Sequence, residues 1–360
     1  MNLRINQLDA LRGFAVILMV QQHLISWLWE VRWVSYSLTF PEYPVMMILN
    51  FFGNFAAPLF LLLSGTGAFL LFEKTEIRKF EFLKRGLFII SSGYLLNILS
   101  PHWFSPGSWY ILHTIGIGII LAPFFIRLRI LYLLVLSLSV IAAAPLIMTF
   151  LNTPLNMGNN FMNDIARTGG IIRLAAAEGH FPLFPWTGFF ITGIICGKWI
   201  KKERFLNILM LSGFSLAAGI FLAFCYKYGF FFATGGTFFR FFVFTPFIYP
   251  SHISFILMLL AISLLILLLF YRILYRRDFL PFSLFNAVGR LSLTWFFVHI
   301  ILFNEIFRAA GFHGNLTAWK AIITSALFMI IMLFLSLKWQ KYNYFMSLEW
   351  VMRKVVKSKK

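Results

Sequence analysis

The chain has 360 residues, of which 60% are hydrophobic and 12% charged, and its formal net charge is +19. A soluble domain has about twice that charged fraction, so the composition excludes a soluble globular protein. The basic residues lie in short loops between apolar runs, which indicates membrane topology and argues against nucleic-acid binding. The bilayer is the expected solvent.

Ten apolar runs follow one another along the chain. A membrane-spanning helix needs about 20 apolar residues. The runs lie at 8–28, 46–72, 82–99, 108–126, 129–150, 181–200, 205–226, 251–274, 284–308 and 317–338. They predict an all-α fold, a polytopic membrane helical bundle of about ten transmembrane helices. We expect one transmembrane domain over 1–345 and a basic cytoplasmic tail over 346–360.

The loops alternate between basic and nearly uncharged. Basic loops face the cytoplasm in membrane proteins, so both termini are predicted to lie inside, which requires an even number of spans. The basic loops contain Lys74, Arg78, Lys79, Lys84, Arg85, Arg127, Arg129, Lys198, Lys201, Lys202, Arg204, Arg272, Arg276 and Arg277.

Two stretches between the runs need a separate interpretation. Asn160–Ala177, in the longest outer connection, could form an amphipathic helix on the membrane surface. Residues 228–250 are rich in Phe and contain Gly235 and Gly236, so we expect an interfacial or re-entrant segment packed against protein.

Arg12 and His23 are the first candidate functional residues. Ionisable side chains inside a span are costly and mark possible function. Eleven residues of helix separate the two, which places them on the same face and about 16 Å apart. Arg12 would then face an inner vestibule and His23 an outer one. A snorkelling arginine and a packed interfacial histidine are the structural alternatives.

The remaining candidates follow the same polarity across the membrane. Histidines map to the outer half or outer surface, whereas the inner positions are basic. This pattern suits an anionic ligand on the cytoplasmic side and proton chemistry near the outside. The outer candidates are His113, Glu178, His180, His299 and Glu305, and the inner ones are Arg290, Lys84 and Arg85. His113 could instead hold helices together by a hydrogen bond.

Several motifs are absent from the sequence. It contains no HExxH, Walker loop, GxGxxG or GxSxG, so ATP-driven transport and serine or zinc hydrolysis lack support. Cys196 and Cys225 fall near opposite ends of consecutive spans and have no zinc-type spacing. We therefore expect neither a disulfide nor a metal.

Four segments resemble the transmembrane acyltransferase superfamily. The opening RINQLDALRGFAVILMVQQH has the arginine, ten residues and histidine of the acyltransferase type three branch. GSWYILHTIGIGIILAPFF, GHFPLFPWTGFFITGIICGKWI and GRLSLTWFFVHIILF resemble the heparan-α-glucosaminide N-acetyltransferase-like branch. The tail YNYFMSLEWVMRKV is similar to the GPLEWLWR ending of a related bacterial membrane family, with Met346-Ser347 in place of Gly-Pro.

The resemblance implies acetyl-CoA on the cytoplasmic side and acetylation of a sugar on the other side. It places His23 at the polar catalytic position of the first helix and His113 at the histidine of the LHxIG motif. In lysosomal members an asparagine aligns with His23 and a histidine follows in the next loop. This chain has no histidine between 30 and 45, so His23 and another histidine both stay candidates for the base.

We therefore expect a multi-pass cell-membrane enzyme that moves an acetyl group from acetyl-CoA to an extracytoplasmic sugar hydroxyl or amine. His23 would be the general base and His113 an orienting group. Arg12, Arg290, Lys84 and Arg85 would hold the donor, and Glu178, His180, His299 and Glu305 the acceptor. The expected partners are membrane lipids and a glycan or sugar-linked acceptor, with a homodimer possible and no nucleic acid.

Two other functions fit the same residues. A proton-coupled transporter or flippase for an anionic or sugar-linked solute would also use buried His and Arg, although the sequence shows no inverted repeat. A non-catalytic membrane scaffold is the third alternative. Cleavage of an acetyl-CoA thioester distinguishes the enzyme from both.

Overall fold

A computed structural model describes residues 6–31, 43–74, 79–229, 238–245, 248–272 and 280–356. Within these ranges the architecture is all-α, and an isolated bridge between Trp29 and Leu316 does not extend into a strand. In chain order the helices are α1 (Asn6–Leu28), α2 (Pro44–Gly53), α3 (Ala56–Lys74), α4 (Lys79–Leu99), α5 (Ile111–Arg127), α6 (Ile130–Phe150), α7 (Asn159–Asn163), α8 (Gly170–Arg173), α9 (Leu183–Lys201), α10 (Phe205–Lys227), α11 (Phe239–Phe242), α12 (Ile253–Arg272), α13 (Leu280–Gly289), α14 (Ser292–Ile300), α15 (Phe307–Ala309), α16 (Ala318–Lys341) and α17 (Leu348–Val356), with π-helical turns at Leu174–Glu178 and Ile301–Ile306.

Each of the ten predicted apolar runs forms helix within the described residues. Among the described residues, eight helical segments are long and apolar enough to cross a membrane. The ninth run forms α13 and α14, which meet at a bend of 75°. The fourth run, 108–126, forms α5, whose 17 residues span about 26 Å at 1.5 Å per residue. The prediction of an all-α polytopic membrane bundle is confirmed.

The helices differ in how much apolar surface they bury. α6, α10 and α16 leave large apolar side chains exposed, and Phe150 is 85% exposed. In contrast, most residues of α1 and α9 are buried. Apolar side chains that point away from the protein on a spanning helix contact lipid, because the hydrocarbon core of the bilayer contains no water. We assign α6, α10 and α16 to the lipid-facing surface and α1 and α9 to protein interiors.

The chain forms two compact units. Unit 1 combines Met1–Phe60 with Leu267–Lys360, and unit 2 contains Leu61–Ile266. α1, α13, α14, α16 and α17 belong to unit 1, so the two ends of the sequence form one packed body. The predicted domain boundary at residue 345 stays a prediction.

Close packing of α1 against α13 depends on two glycines. A Cβ atom at Gly13 would lie 1.8 Å from the carbonyl oxygen of Phe285, and one at Gly289 would lie 1.8 Å from that of Asp9. No side chain fits at either position without separating the helices. Gly289 is also the last residue before the bend into α14. The two glycines therefore fix where the broken helix meets α1.

The expected single helix over Asn160–Ala177 is not formed. The structure divides this stretch into α7, α8 and the π-helical turn Leu174–Glu178. Gly169 and Gly170 adopt positive φ angles of 92° and 44°, a conformation that interrupts a right-handed helix. Within 228–250, residues 230–237, with Gly235 and Gly236, and residues 246–247 lie outside the described part of the chain. The described part contains the four-residue α11 and turns at 228–229 and 248–250, so the interfacial or re-entrant segment stays a prediction.

The C-terminal helix α17 caps the broken helix in unit 1. Glu349 is 9% exposed, and its Oε1 accepts hydrogen bonds from the backbone N–H groups of Leu293 (2.6 Å) and Thr294 (3.2 Å). Thr294 Oγ1 donates to Oε2 at 2.6 Å. Burial raises the pKa of Glu349, and these hydrogen bonds oppose that rise. Part of the segment predicted as a tail thus satisfies the first N–H groups of α14.

Replacement of Glu349 by alanine should lower the free energy of unfolding by about 1–3 kcal/mol, because buried donors in α14 lose their acceptor. Glu349→Gln should lose less, since the amide oxygen still accepts and no charge is buried. Thermal unfolding in detergent measures both. Lys354→Ala, at an exposed position of the same helix, should stay within about 0.5 kcal/mol of the wild type. Equal effects at Glu349 and Lys354 would contradict the capping role.

The predicted topology places the connection after α6 outside the cell and the end of α16 in the cytoplasm. Asn156 and Lys341 are both exposed, whereas the native thiols Cys196 and Cys225 are free and buried. Single cysteines introduced at Asn156 and Lys341 should therefore react with an impermeant maleimide from opposite sides of the membrane. Labelling of both from the same side would refute the ten-span topology.

Candidate functional site

His23 and His299 form a direct pair inside unit 1. α1 carries His23 and α14 carries His299, and His23 Nδ1 lies 2.9 Å from His299 Nε2. The rings stack with their centroids 5.2 Å apart. His299 is fully buried, whereas His23 is partly exposed. The buried His299 therefore hydrogen-bonds the partly exposed His23, and a ligand can reach His23.

The hydrogen-bond network assigns a proton to each ring. His299 Nδ1 lies 2.8 Å from the carbonyl oxygen of Trp295, which can only accept, so Nδ1 carries the hydrogen. In neutral His299 the Nε2 atom then accepts, and His23 Nδ1 must donate to it. Neutral His23 consequently has its lone pair on Nε2. That tautomer is the one a general base needs.

Aromatic rings surround the pair. Trp27 lies one turn after His23 on α1, and its ring centroid is 5.1 Å from that of His23 and 5.8 Å from that of His299. Phe296 contacts His299 edge-on at 5.8 Å. Trp295 Nε1 donates to Ser336 Oγ at 2.8 Å. This bond holds α14 against α16 at the residue whose carbonyl accepts from His299. These contacts hold both imidazoles in one orientation and limit the access of water.

The structure brings Arg12 and Arg290 together at the opposite end of α1. Arg12 Nη1 donates to Asp9 Oδ1 at 3.0 Å, and Arg290 Nε lies 3.5 Å from Asp9 Oδ2. Arg290 Nη2 also donates to Asn6 Oδ1 at 3.3 Å. Two guanidinium groups thus share one carboxylate, so among the described residues Arg12, Arg290 and Asp9 together carry one positive charge. Both arginines are partly exposed and can contact a ligand.

The other two predicted donor residues, Lys84 and Arg85, lie on α4 in unit 2. The Lys84 ammonium lies 4.9 Å from the ring centroid of Phe80, one turn away. Arg85 Nε is buried and has no hydrogen-bond partner in the described part of the chain. Their assignment to the donor stays a prediction.

His113, on α5, is fully buried among aromatic rings in unit 2. Its Nδ1 accepts a hydrogen bond from the Tyr110 backbone N–H at 3.2 Å, so the proton of the neutral ring lies on Nε2. A Cβ atom at Gly93 would be 2.8 Å from Nε2. Tyr94 packs on the ring at 4.4 Å. In this tautomer His113 can donate a hydrogen bond but cannot remove a proton through Nε2.

The predicted acceptor residues occupy three different places. Glu178 is buried in an arginine-rich cluster of unit 2 and accepts from Thr153 Oγ1 at 2.6 Å. His180 Nε2 lies 2.8 Å from Asn159 Oδ1. Glu305 accepts from the side-chain amide of Asn304 at 2.8 Å in the π-helical turn after α14. His299 pairs with His23, which sequence reasoning did not predict.

Asp9 and Glu349 are further site-forming residues that were missing from the predicted set. The sequence indicated Asp9 only as a possible ion-pair partner of Arg12, three residues away. Its ion pair with Arg290 depends on the tertiary contact between α1 and α13. Glu349 belongs to the LEW segment of the tail resemblance, a signal that could have indicated a specific contact. Among the described residues, no group of three or more His, Cys, Asp or Glu side chains could hold a metal ion.

Comparison with known families agrees with this architecture. The family described as heparan-alpha-glucosaminide N-acetyltransferase, catalytic, matches residues 4–225, which is more than half of the chain. Together with the apolar helices, this match defines an integral multi-pass membrane protein of the acyltransferase type. The chain belongs to the heparan-α-glucosaminide N-acetyltransferase catalytic family.

A second family, described as a protein of unknown function (DUF418), matches residues 197–359 and so includes the LEW tail. The predicted resemblance to heparan-α-glucosaminide N-acetyltransferase-like membrane acyltransferases is confirmed. No curated protein matches the chain.

Proposed function

We propose that this protein transfers an acetyl group from cytoplasmic acetyl-CoA to a sugar hydroxyl or amine on the extracytoplasmic face of the cell membrane. The family match supports acetyl transfer, and the observation that carries the mechanism is the His23–His299 pair with its basic lone pair on His23 Nε2. A purified sample given acetyl-CoA and a panel of amino and neutral sugars should yield an acetylated sugar by mass spectrometry.

Arg12 and Arg290 suit the phosphates of acetyl-CoA. Asp9 neutralises one of the two guanidinium groups, so one positive charge and several N–H donors stay available for an anion. Acetyl-CoA supplies an acetyl group activated as a thioester. The sequence-based assignment of Lys84 and Arg85 to the donor stays a prediction.

His23 would act as the general base. Its Nε2 accepts the proton of the acceptor hydroxyl or amine as the acceptor oxygen or nitrogen bonds to the acetyl carbon and the carbon–sulfur bond breaks. His299 Nε2 accepts from His23 Nδ1–H throughout, which stabilises the imidazolium that forms. The proton then leaves with the CoA thiol. Direct transfer of this kind requires no acyl-enzyme intermediate.

A proton-coupled transporter or flippase is a second candidate, because α13 and α14 form an apolar helix pair interrupted by a 75° bend. Discontinuous helices commonly line substrate sites in secondary transporters. The two functions differ in one observable: the transporter moves a solute without cleaving a thioester. An acetylated product formed by the wild type excludes transport as the sole activity.

Arg12→Ala should weaken CoA binding more than it weakens folding. Loss of one charge-assisted phosphate contact is expected to raise the Kd for CoA about tenfold or more. Thermal unfolding with and without CoA measures this directly. The CoA-dependent rise in Tm should be large for the wild type and small for the variant. An undiminished rise in the variant would show that Arg12 pairs with Asp9 for structural reasons only.

A further inference from the structure

Three arginines of unit 2 converge on one buried carboxylate. Arg173 bonds Glu178 Oε2 directly, and Arg167 Nη1 lies 4.0 Å from the same oxygen. Arg240, on α11, donates to the backbone carbonyl of Thr153, whose hydroxyl donates to Glu178 Oε1. We call Arg167, Arg173 and Arg240 the arginine cluster. Its members come from the connection after α6 and from α11, so tertiary structure assembles it.

The cluster contains more positive charge than its carboxylate can neutralise. Glu178 contributes one negative charge against three guanidinium groups. Asp164 directs its Oδ1 to the backbone N–H of Ala166 at 3.0 Å, and among the described residues it forms no ion pair with the cluster. Neutralising Glu178 requires one arginine, and Arg173 already bonds it. The other two therefore carry charge that the described part of the chain does not balance.

Each arginine also keeps a buried nitrogen without a hydrogen-bond partner in the described ranges. These atoms are Arg167 Nη1, Arg173 Nε and Arg240 Nη1. A buried donor left unsatisfied costs about 1–3 kcal/mol, more when the group is charged, and calls for an explanation such as an absent ion or ligand. Three such donors, on residues that contact Glu178 or the neighbouring Thr153, indicate an oxygen-rich anion.

An aromatic ring and a buried histidine lie beside the cluster. The Arg167 and Arg173 guanidinium carbons lie 4.0 and 5.6 Å from the ring centroid of Phe161. His252 lies just before α12, and burial lowers its pKa to about 4, with a smaller contribution from the Arg240 charge. His252 is therefore neutral near pH 7. A neutral His252 adds no charge to the cluster.

We propose that the arginine cluster binds an anionic oxygen group, a carboxylate, sulfate or phosphate, of a sugar on the extracytoplasmic face. This inference concerns unit 2 alone and does not depend on the proposed reaction. The connection that holds the cluster is predicted to be extracytoplasmic. His180, two residues after Glu178, lies among the rings of Trp103, Phe104 and Tyr249 at 5.8–6.5 Å. Aromatic rings of this kind can pack against a sugar.

Thermal unfolding in detergent tests the proposal with three soluble probes: sulfate, glucuronate and glucose, each at constant ionic strength. Sulfate and glucuronate should give saturable rises in Tm at low concentration, and glucose should give none. Arg240→Gln and Arg167→Gln should each bind the anions roughly tenfold or more weakly. Arg129→Gln, which removes the same charge from an exposed site of unit 2, should bind as the wild type does.

Equal responses in all four proteins, or none in any, would overturn the anion site and assign the arginines to neutralising Glu178. Stabilisation by phosphatidylglycerol in nanodiscs, without any response to glucuronate, would overturn the assignment to a sugar in favour of a lipid headgroup. Acetyl transfer measured on the same samples keeps the two proposals separate. Transfer without anion binding refutes the cluster alone, and anion binding without transfer refutes the proposed reaction alone.

Discussion

His23→Ala is expected to lower kcat for acetyl transfer by about 10²–10⁴-fold, the usual contribution of a general base, while CoA binding stays nearly intact. His23 Nε2 holds the basic lone pair of the histidine pair, and Arg12, the proposed donor contact, lies about three turns away on α1. The loss should therefore appear in turnover and not in donor affinity. Initial rates at saturating acetyl-CoA, together with CoA-dependent shifts in Tm, measure the two effects separately.

Two further variants sharpen this result. His23→Gln should be as inactive as alanine, because an amide can hydrogen-bond but cannot take the proton. His113→Ala should be milder, since His113 Nδ1 is engaged by the Tyr110 N–H and only its Nε2–H can act on a ligand. The reverse ranking would exchange the roles of the two histidines. Normal transfer by both alanine variants would refute a histidine base at either position.

His299→Leu is expected to lower kcat roughly 10–100-fold, the kinetic equivalent of one hydrogen bond to a charged group. The leucine keeps the apolar packing but removes the acceptor for His23 Nδ1–H, so the imidazolium formed during transfer loses its partner. KM for the acceptor should change little. His299→Gln offers a carbonyl oxygen in the same region and should recover part of the activity.

His299 is a positioning residue in this account, and a purely structural role predicts a different pattern. Loss of packing would lower Tm and active fraction alike in the leucine and glutamine variants. The positioning role predicts a fall in kcat at unchanged Tm, with glutamine better than leucine. Equal kcat values in the wild type and both variants would remove His299 from the mechanism.

Apolar runs predicted the fold well, because spanning the hydrocarbon core requires long helices whatever the tertiary structure. The α-helical period likewise placed Arg12 and His23 on one helix. The bend between α13 and α14 was not predictable, since it depends on Gly289 fitting against the Asp9 backbone of α1. At Asn160–Ala177 the error runs the other way, because one continuous helix was predicted and the structure has none. The amphipathic pattern suggested a helix that Gly169 and Gly170 interrupt.

The individual residues of the site were predicted, but the contacts between them were not. His23, His299, Arg12 and Arg290 were all named, yet the bond between the histidines requires knowledge of how α1 meets α14. Glu178 was expected to contact an acceptor, whereas the structure surrounds it with arginines. Contacts between residues more than a hundred positions apart leave no periodic signal in a single sequence.

Sealed vesicles with acetyl-CoA on one side and a sugar on the other provide the most direct test of the central claim. Acetyl-CoA is supplied on the side that exposes the basic loops, and the sugar is trapped on the opposite side. Transmembrane acetyl transfer predicts free CoA thiol on the first side and an equal amount of acetylated sugar on the second, both abolished by His23→Gln. Movement of the sugar or another solute without release of thiol would contradict the acetyltransferase and establish transport.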